Sequence, residues 1–249
     1  MSHPPGPKVT CLSVVGCSGH PPLKHVLKHL SGKRYAASIH DPDRGRVKLA
    51  GHLDPSAENQ ELFERDQIRA VVIYRDPRDN LLQLVRRSFL DYTAEKFVAP
   101  NTHPTAIAYH RLVKEHQDAW TGRRVVEYFV DGIGGLDVLS TIFRVTEWHR
   151  HPRVQGVRFE DLVDLWGTDP EAPRRTITSI AEFLGVTVTD TEIDGLVAHN
   201  AIWLEKKVEN KPHYLQPWQE VFTDADKAAF KHHFGPLLID LGYEADNDW

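Results

Sequence analysis

Two arginines follow directly on an apolar run, where their guanidinium groups could do chemistry. Residues 70–74 are Ala-Val-Val-Ile-Tyr, a sequence typical of a strand buried on both faces of a parallel sheet. Arg75 and Arg78 come next. Because ligands of open α/β sheets bind at the carboxyl ends of the strands, two forked guanidinium groups here are suited to binding a phosphate. The alternative is that Arg75 pairs with Asp76 or Asp79 and only fixes the turn.

A second candidate anion site lies near the N-terminus. Residues 9–15 are predicted to form a buried strand, and residues 16–22, Gly-Cys-Ser-Gly-His-Pro-Pro, form a turn into a helix. A Gly/Ser turn of this kind presents backbone N–H groups and the positive helix end to an anion. The turn lacks the GxxxxGK[ST] pattern of NTPase phosphate loops. An ordinary strand-to-helix turn is the alternative interpretation.

Histidines supply the remaining candidates. His25 and His29 are four residues apart on the predicted first helix, but no third ligand has a recognised spacing, so we predict no metal site. His52 follows a short apolar segment and precedes a Pro-bounded turn. A neutral imidazole there could accept a proton, although a lone histidine is more often structural.

Both anion motifs resemble those of the sulfotransferases that use 3'-phosphoadenosine 5'-phosphosulfate (PAPS). The string Tyr74 to Asp79 resembles their 3'-phosphate signature, in which Arg follows a strand and a Lys or Arg and an Asp come next. The serine that normally follows at eight residues is replaced by Gln83, whose amide can also donate to phosphate.

The N-terminal turn resembles the family's 5'-phosphosulfate loop, Pro-Lys-Ser-Gly-Thr-Thr-Trp. Ser18 and Gly19 match, while Cys17 stands at the lysine position and His20 at the first threonine. In that family the lysine stabilises charge on the leaving oxygen, and losing such a donor costs about 100-fold to 1000-fold in rate. Lys24 or His20, at the helix start, would have to replace it.

Three further segments carry the resemblance along the chain. His52 lies in a segment that resembles Lys-Thr-His-Leu-Pro, which implies that it is the general base. Phe159 stands at the tyrosine of Val-Arg-Tyr-Glu-Asp-Leu, near the nucleotide. Trp218 keeps the spacing of a C-terminal motif and so places Lys211 and His213 in the 3'-phosphate loop, with Lys206 and Lys207 as possible substitutes unless they belong to a solvated loop.

The resemblance implies a sulfotransferase that moves a sulfuryl group from PAPS to a hydroxyl of a small-molecule, carbohydrate or lipid-like acceptor and releases 3'-phosphoadenosine 5'-phosphate (PAP). The implied donor-binding residues are Cys17, Ser18, Gly19, His20, Arg75, Gln83, Phe159, Lys211, His213 and Trp218. Catalysis would fall to His52, with Lys24 or His20. Two alternatives stand beside this: a nucleotide-binding relative without catalysis, and a small-molecule kinase, which would need Mg²⁺ and a loop lysine.

The elements that position these residues alternate between strand and helix. Strands are predicted at 9–15, 35–39, 47–50, 70–74 and 154–158. Helices are predicted after residue 22 and at 58–65, 80–88, 105–120, 136–149 and 174–184, with Asp79 capping the helix at 80–88 and Thr223 with Asp226 capping the last one. This alternation predicts an α/β fold: three α/β/α layers with a central parallel sheet, which the resemblance refines to the P-loop NTPase-like sulfotransferase fold.

Composition limits the remaining possibilities. The 249 residues contain no Pro/Gly/Ser linker, so we predict one domain over residues 1–249 with a flexible tail at 1–8. A net charge of -5 gives no footprint for nucleic acid. The chain has no apolar run of the roughly 20 residues that span a membrane and no signal-peptide layout, and its two cysteines fit a reducing compartment, so we expect a cytoplasmic protein without a membrane span.

Overall fold

The computed structural model describes residues 8–13, 19–31, 34–36, 46–50, 55–65, 67–83, 143–210 and 217–249, the three short segments among 8–50 by their backbone alone. The chain divides into two compact units, and each contains two separate segments of sequence. The first unit is Met1–Arg75 with Ile142–Leu215, and the second is Asp76–Thr141 with Gln216–Trp249. The single domain over 1–249 stays a prediction.

One parallel sheet organises the first unit. Its five strands are β1 Lys8–Ser13, β2 Arg34–Ala36, β3 Arg46–Ala50, β4 Ile68–Tyr74 and β5 Val154–Arg158. The order across the sheet is β2-β3-β1-β4-β5, and every neighbouring pair is parallel. Each predicted strand coincides with one of these in the part of the chain that the structure describes.

Helices follow the strands. They are α1 His20–Ser31, α2 Ala57–Arg65, α3 at 77–83, α4 Phe159–Val163, α5 Ala172–Leu184, α6 Asp190–Asn210 and α7 Asp224–Asp240, with 3-10 helices at Arg144–Arg150 and Trp218–Glu220. The helix predicted at 105–120 lies outside the described residues. Where the structure describes residues 143–150, the helix predicted there is of the 3-10 type.

Helices cover both faces of the sheet, as the alternation of side chains along β4 requires. Val71 and Ile73 belong to one core cluster with the apolar faces of α1, α4, α5 and α6. Tyr74 points to the opposite face, where its ring meets His149 of the first 3-10 helix at 6.4 Å. These are the three layers of the predicted α/β/α fold.

The second unit is built on α3, α7 and the 3-10 helix that precedes α7. A row of aromatic rings links the last two elements, with ring centroids 5.7 Å apart from Trp218 to Phe222 and 5.8 Å from Phe222 to Phe230. The predicted capping box at Thr223 and Asp226 begins α7. Among the described helices, none has both the length and the apolar character needed to cross a membrane.

One local prediction was wrong, and one open alternative can be decided. Asp79 does not cap a helix that begins at residue 80, because α3 already begins at residue 77. Asp76 occupies the capping position, since its Oδ1 accepts the backbone N–H of Arg78 at 2.9 Å. For Lys206 and Lys207, where a solvated loop was one of two open alternatives, the structure has both residues in the last turns of α6.

Candidate functional site

The carboxyl edge of the sheet is where the first unit gathers its candidate residues. Ser13 at the end of β1 pairs with Ile73, and Tyr74 at the end of β4 pairs with Arg158. From β1 the chain continues to one side of the sheet, and from β4 it continues to the other. Open α/β sheets bind ligands at such a point of reversal, so the ends of β1 and β4 mark the expected site.

Gly19 at the start of α1 lies against the aromatic ring of Phe159 at the start of α4. Gly19 has a φ of +82°, a backbone conformation that side chains disfavour. A Cβ on Gly19 would overlap the Phe159 ring. Phe159 is completely buried, and its ring meets Trp203 of α6 edge-on at 6.3 Å. Gly19, which directly precedes α1, and the helix after β5 are therefore in direct contact.

Arg75 joins this contact from the end of β4. Its guanidinium carbon lies 5.5 Å from the centre of the Phe159 ring, and its Nε lies 4.0 Å from Oε1 of Glu160. Only 1% of Arg75 is exposed. A buried guanidinium is costly unless it is matched by negative charge, so this position is suited to an anion or to a structural ion pair. Residues that follow three different strands, Gly19, Arg75 and Phe159, thus meet in one cluster.

The first turn of α1 is favourable to negative charge. It contains no acidic residue, and it begins with His20, whose side chain is half-buried. Lys24 lies one turn further on and is also half-buried. The positive end of a helix of this length attracts anions when no carboxylate competes.

Arg78 does not offer its guanidinium to a ligand. Its Nε donates to Oδ1 of Asp76 at 2.9 Å, and its Nη2 donates to Oδ2 of Asp76 at 2.7 Å. Its Nη1 donates to Oε1 of Glu244 at 2.5 Å. Burial lowers the pKa of Arg78, but the hydrogen bonds and charges of Asp76 and Glu244 outweigh it and raise this pKa. Of the two arginines predicted to bind phosphate, Arg78 is fully engaged inside the second unit.

The other candidates of the second unit are buried in it. Gln83 is 5% exposed in α3, and Trp218 is 8% exposed. The backbone N–H of Trp218 donates to Oδ1 of Asp79 at 2.7 Å. Five predicted site residues lie outside the described part of the chain: Cys17, Ser18, His52, Lys211 and His213.

The histidines of α1 have other contacts. His25 stacks on His199 of α6, with ring centroids 3.5 Å apart and an angle of 11° between the planes. His29 lies 3.8 Å from Glu192. Among the described side chains, no group of three or more His, Cys, Asp or Glu is arranged to hold a metal ion.

A cavity of about 310 Å³ opens beside the ends of β4 and β5. Arg158, Asp161 and Arg175 contribute charges of both signs to its lining. Arg175 also forms an ion pair with Asp169. Because Asp161 and Asp169 offset its two arginines, this cavity lacks the concentration of positive charge that a phosphate site requires.

Sequence reasoning missed several residues of these clusters. Because Glu160 directly follows Phe159, its position near the end of β5 could have been predicted from the sequence. Trp203 and Asn200 lie on a helix that the patterns did not predict. Asn200 is 1% exposed, and neither end of its amide has a hydrogen-bond partner among the described residues. Glu244 is 166 residues from Arg78, a separation that no local pattern reveals.

Comparisons with known proteins also indicate similarity to sulfotransferases. No family model matches the sequence. The chain is 26% identical over 190 residues to Sulfotransferase 1A1 of Rattus norvegicus, covering 66% of this chain and 62% of that protein. It is 26% identical over 183 residues to Sulfotransferase 1A1 of Mus musculus, covering 63% and 60%. The matches span about three fifths of the length of these relatives.

The fold has a solved counterpart. The crystal structure of mouse sulfotransferase SULT7A1 complexed with PAP superposes with a TM-score of 0.57 at 16% identity, over 94% of this chain and 84% of that one. The parallel sheet with helices on both faces is therefore the sulfotransferase architecture. The chain therefore has the sulfotransferase fold, and its sequence is similar to that of two curated sulfotransferases.

Proposed function

We propose that the chain is a sulfotransferase that binds PAPS and transfers its sulfuryl group to a hydroxyl of a small-molecule, carbohydrate or lipid-like acceptor. The observation that carries the proposal is the meeting of Gly19, Arg75 and Phe159 at the carboxyl edge of the sheet. Gly19 directly precedes α1, whose first turn lacks acidic residues, and Arg75 contributes a buried guanidinium. This pairing suits a ligand with two anionic groups.

Arg75 is assigned to the 3'-phosphate of the donor. It directly follows β4, at the position that the family signature gives to this contact. PAP binding to SULT7A1 concerns that protein, and it supports the proposal only through the shared fold. Glu160, whose Oε1 lies 4.0 Å from the Nε of Arg75, would orient the guanidinium.

The proposed reaction is a displacement at sulfur. The acceptor oxygen forms a bond to sulfur as the bond between sulfur and the donor's phosphate oxygen breaks, which leaves PAP. His52 would take the proton of the acceptor hydroxyl. Cys17 cannot supply the cation that the family's loop lysine provides, so Lys24 or His20 would stabilise the leaving oxygen. Both stand in the first turns of α1.

The test of donor binding compares nucleotides that differ in one group. Calorimetry on the unchanged chain is expected to show PAP binding more tightly than adenosine 5'-phosphate, which lacks the 3'-phosphate. Arg75→Lys keeps the charge but loses the fork, and we expect about a tenfold loss in PAP affinity and little change for adenosine 5'-phosphate. Arg175→Lys, at an exposed arginine paired with Asp169, is the matched control. Equal losses for both nucleotides would remove Arg75 from the 3'-phosphate.

Activity and binding are separated by a second experiment. Transfer of labelled sulfate from PAPS to a panel of hydroxylated acceptors tests for turnover, and His52→Ala is expected to abolish most of it while PAP affinity stays unchanged. Tight PAP binding without transfer to any acceptor would favour the alternative of a nucleotide-binding relative, which the loss of the loop lysine motivates. Preference for ATP with Mg²⁺ over PAP would favour a kinase instead.

A further inference from the structure

Arg78 is the centre of a buried cluster in the second unit that no catalytic step requires. All three of its nitrogens donate to carboxylates, two of them to Asp76 and one to Glu244. Its guanidinium carbon also lies 4.1 Å from the Trp218 ring centre and 4.5 Å from the Trp249 ring centre. Only 2% of Arg78 is exposed. A buried cation is stable only when its charge is paired, and these partners supply that pairing for Arg78.

The two tryptophan rings form a corner around the cation. Their centroids are 5.5 Å apart and their planes are nearly perpendicular, at 81°. The guanidinium is therefore close to the centres of both rings. The Nζ of Lys231 in α7 also lies over the Trp249 ring, 5.2 Å from its centre. Cation–π contacts of this kind are strongest when the cation is desolvated, as Arg78 is.

Three segments meet at this one side chain. Asp76 caps α3 through the backbone N–H of Arg78 and directly follows Arg75 in sequence. Trp218 follows the segment 211–216, which lies outside the described residues, and its N–H is bound by Asp79. Glu244 and Trp249 belong to the segment that follows α7.

We propose that Arg78 is a positioning residue and that residues 244–249 are a clasp, which together hold the start of α3 and the segment around Trp218 in the arrangement that donor binding needs. The inference rests on the proposed function, because α3 carries Gln83 and Trp218 is itself one of the implied donor-binding residues. The clasp meets Trp218 through the Arg78 side chain and the Trp249 ring, and it meets α3 through Arg78 in its first turn.

The test loosens the clasp without removing Arg78, whose loss would leave the buried Asp76 and the partly buried Glu244 without their cation. Glu244→Gln and Trp249→Ala are expected to raise the KM for PAPS and the dissociation constant of PAP by about tenfold, with kcat at saturating donor changed less than twofold. Trp249→Phe keeps a ring beside the guanidinium and is expected to restore most of the affinity. Asp246→Asn removes a charge in the same segment and is the control for Glu244→Gln, since its carboxylate accepts the N–H of the nearby Asp248 and has no bond to Arg78 among the described residues.

Hydrogen exchange tests the clasp without any nucleotide. In the full chain without ligand, Glu244→Gln and Trp249→Ala are expected to speed exchange at the Trp218 N–H and at the first turn of α3 at least tenfold, while α5 is unchanged. Unchanged exchange at Trp218 would overturn the proposal. Faster exchange together with unaltered PAP affinity would overturn the positioning role.

The two proposals fail in different ways. If the unchanged chain binds no PAP, the proposed function is wrong, and a proposal that rests on it is overturned with it. If the unchanged chain binds PAP and the clasp variants bind it equally well, only the inference about Arg78 fails. Circular dichroism on each variant confirms that the helices are retained.

Discussion

Gly19 is the residue whose replacement tests the cluster most directly. Its φ of +82° and the overlap of any Cβ with Phe159 both oppose a side chain at this position. We expect Gly19→Ala to lower the free energy of unfolding by at least about 1 to 3 kcal/mol, because it adds backbone strain to a steric conflict. Urea denaturation followed by circular dichroism measures the change.

Gly195 provides the control for this substitution. It lies inside α6, and a Cβ there would meet nothing within 4 Å. Gly195→Ala is expected to raise the free energy of unfolding by about 0.5 to 1 kcal/mol, since alanine loses less entropy in a helix. If the two alanine variants are equally stable, the contact between Gly19 and Phe159 has no energetic importance.

Among whole elements, α7 depends on its first turn. The Thr223 hydroxyl accepts the N–H of Asp226, and the Asp226 carboxylate accepts the N–H of Thr223 at 2.7 Å. Thr223→Ala removes one half of this capping box and is expected to destabilise the protein by about 1 kcal/mol. Thr223→Ser keeps the hydroxyl and should retain nearly all of the stability. Equal destabilisation by both variants would assign the effect to packing of the threonine methyl group.

The contact between α1 and α6 is expected to be sensitive to pH. Burial, followed by the neighbouring His199, His29 and Lys28, lowers the pKa of His25 from its usual 6.5. Because the unfolded chain then binds a proton more readily than the folded chain, stability contributed here is present above pH 6.5 and is lost below it, as the pH falls through the lower pKa of the folded chain. His25→Phe keeps a ring on His199 and removes the proton.

Urea midpoints at pH 5, 6 and 7 measure this effect. The fall in stability toward pH 5 should be shallower in His25→Phe than in the unchanged chain. His151, whose pKa burial also lowers, retains part of the slope in both proteins. His233→Phe, at an exposed histidine of α7, is the matched control. An identical slope in His25→Phe and the unchanged chain would contradict the assignment.

At the scale of the molecule, the sequence predicts most reliably what hydrophobic periodicity encodes. The run at β4 and the spacing of Leu23, Val26, Leu27 and Leu30 in α1 are all reproduced as buried positions. Helix α6 was not predicted, because its apolar residues are spread around the helix and not concentrated on one face, and its lysines suggested a loop. The start of α3 was misplaced because Asp76 and Asp79 are both good capping residues, and only the pairing with Arg78 selects Asp76.

The sequence does not predict contacts between segments that are far apart along the chain. Motif order identified Gly19, Arg75 and Phe159 as residues of one site, and the structure places them in one cluster. Their role in holding a donor stays a prediction. The engagement of Arg78 by Glu244 and Trp249 depends on a partner segment far along the chain, which carries no motif of its own.

Stabilisation by ligand is the whole-molecule consequence of the proposed function. A ligand that binds only the folded chain adds about 2.7 kcal/mol to the free energy of unfolding at 100 times its dissociation constant, which raises the melting temperature of a protein of this size by roughly 5 to 10 °C. We expect PAP to produce this shift, and adenosine 5'-phosphate at the same concentration to produce a smaller one. In Arg75→Lys the two shifts should become nearly equal, because the group that distinguishes the nucleotides has lost its forked partner. A larger shift with ATP and Mg²⁺ than with PAP would instead identify a phosphoryl-transfer site.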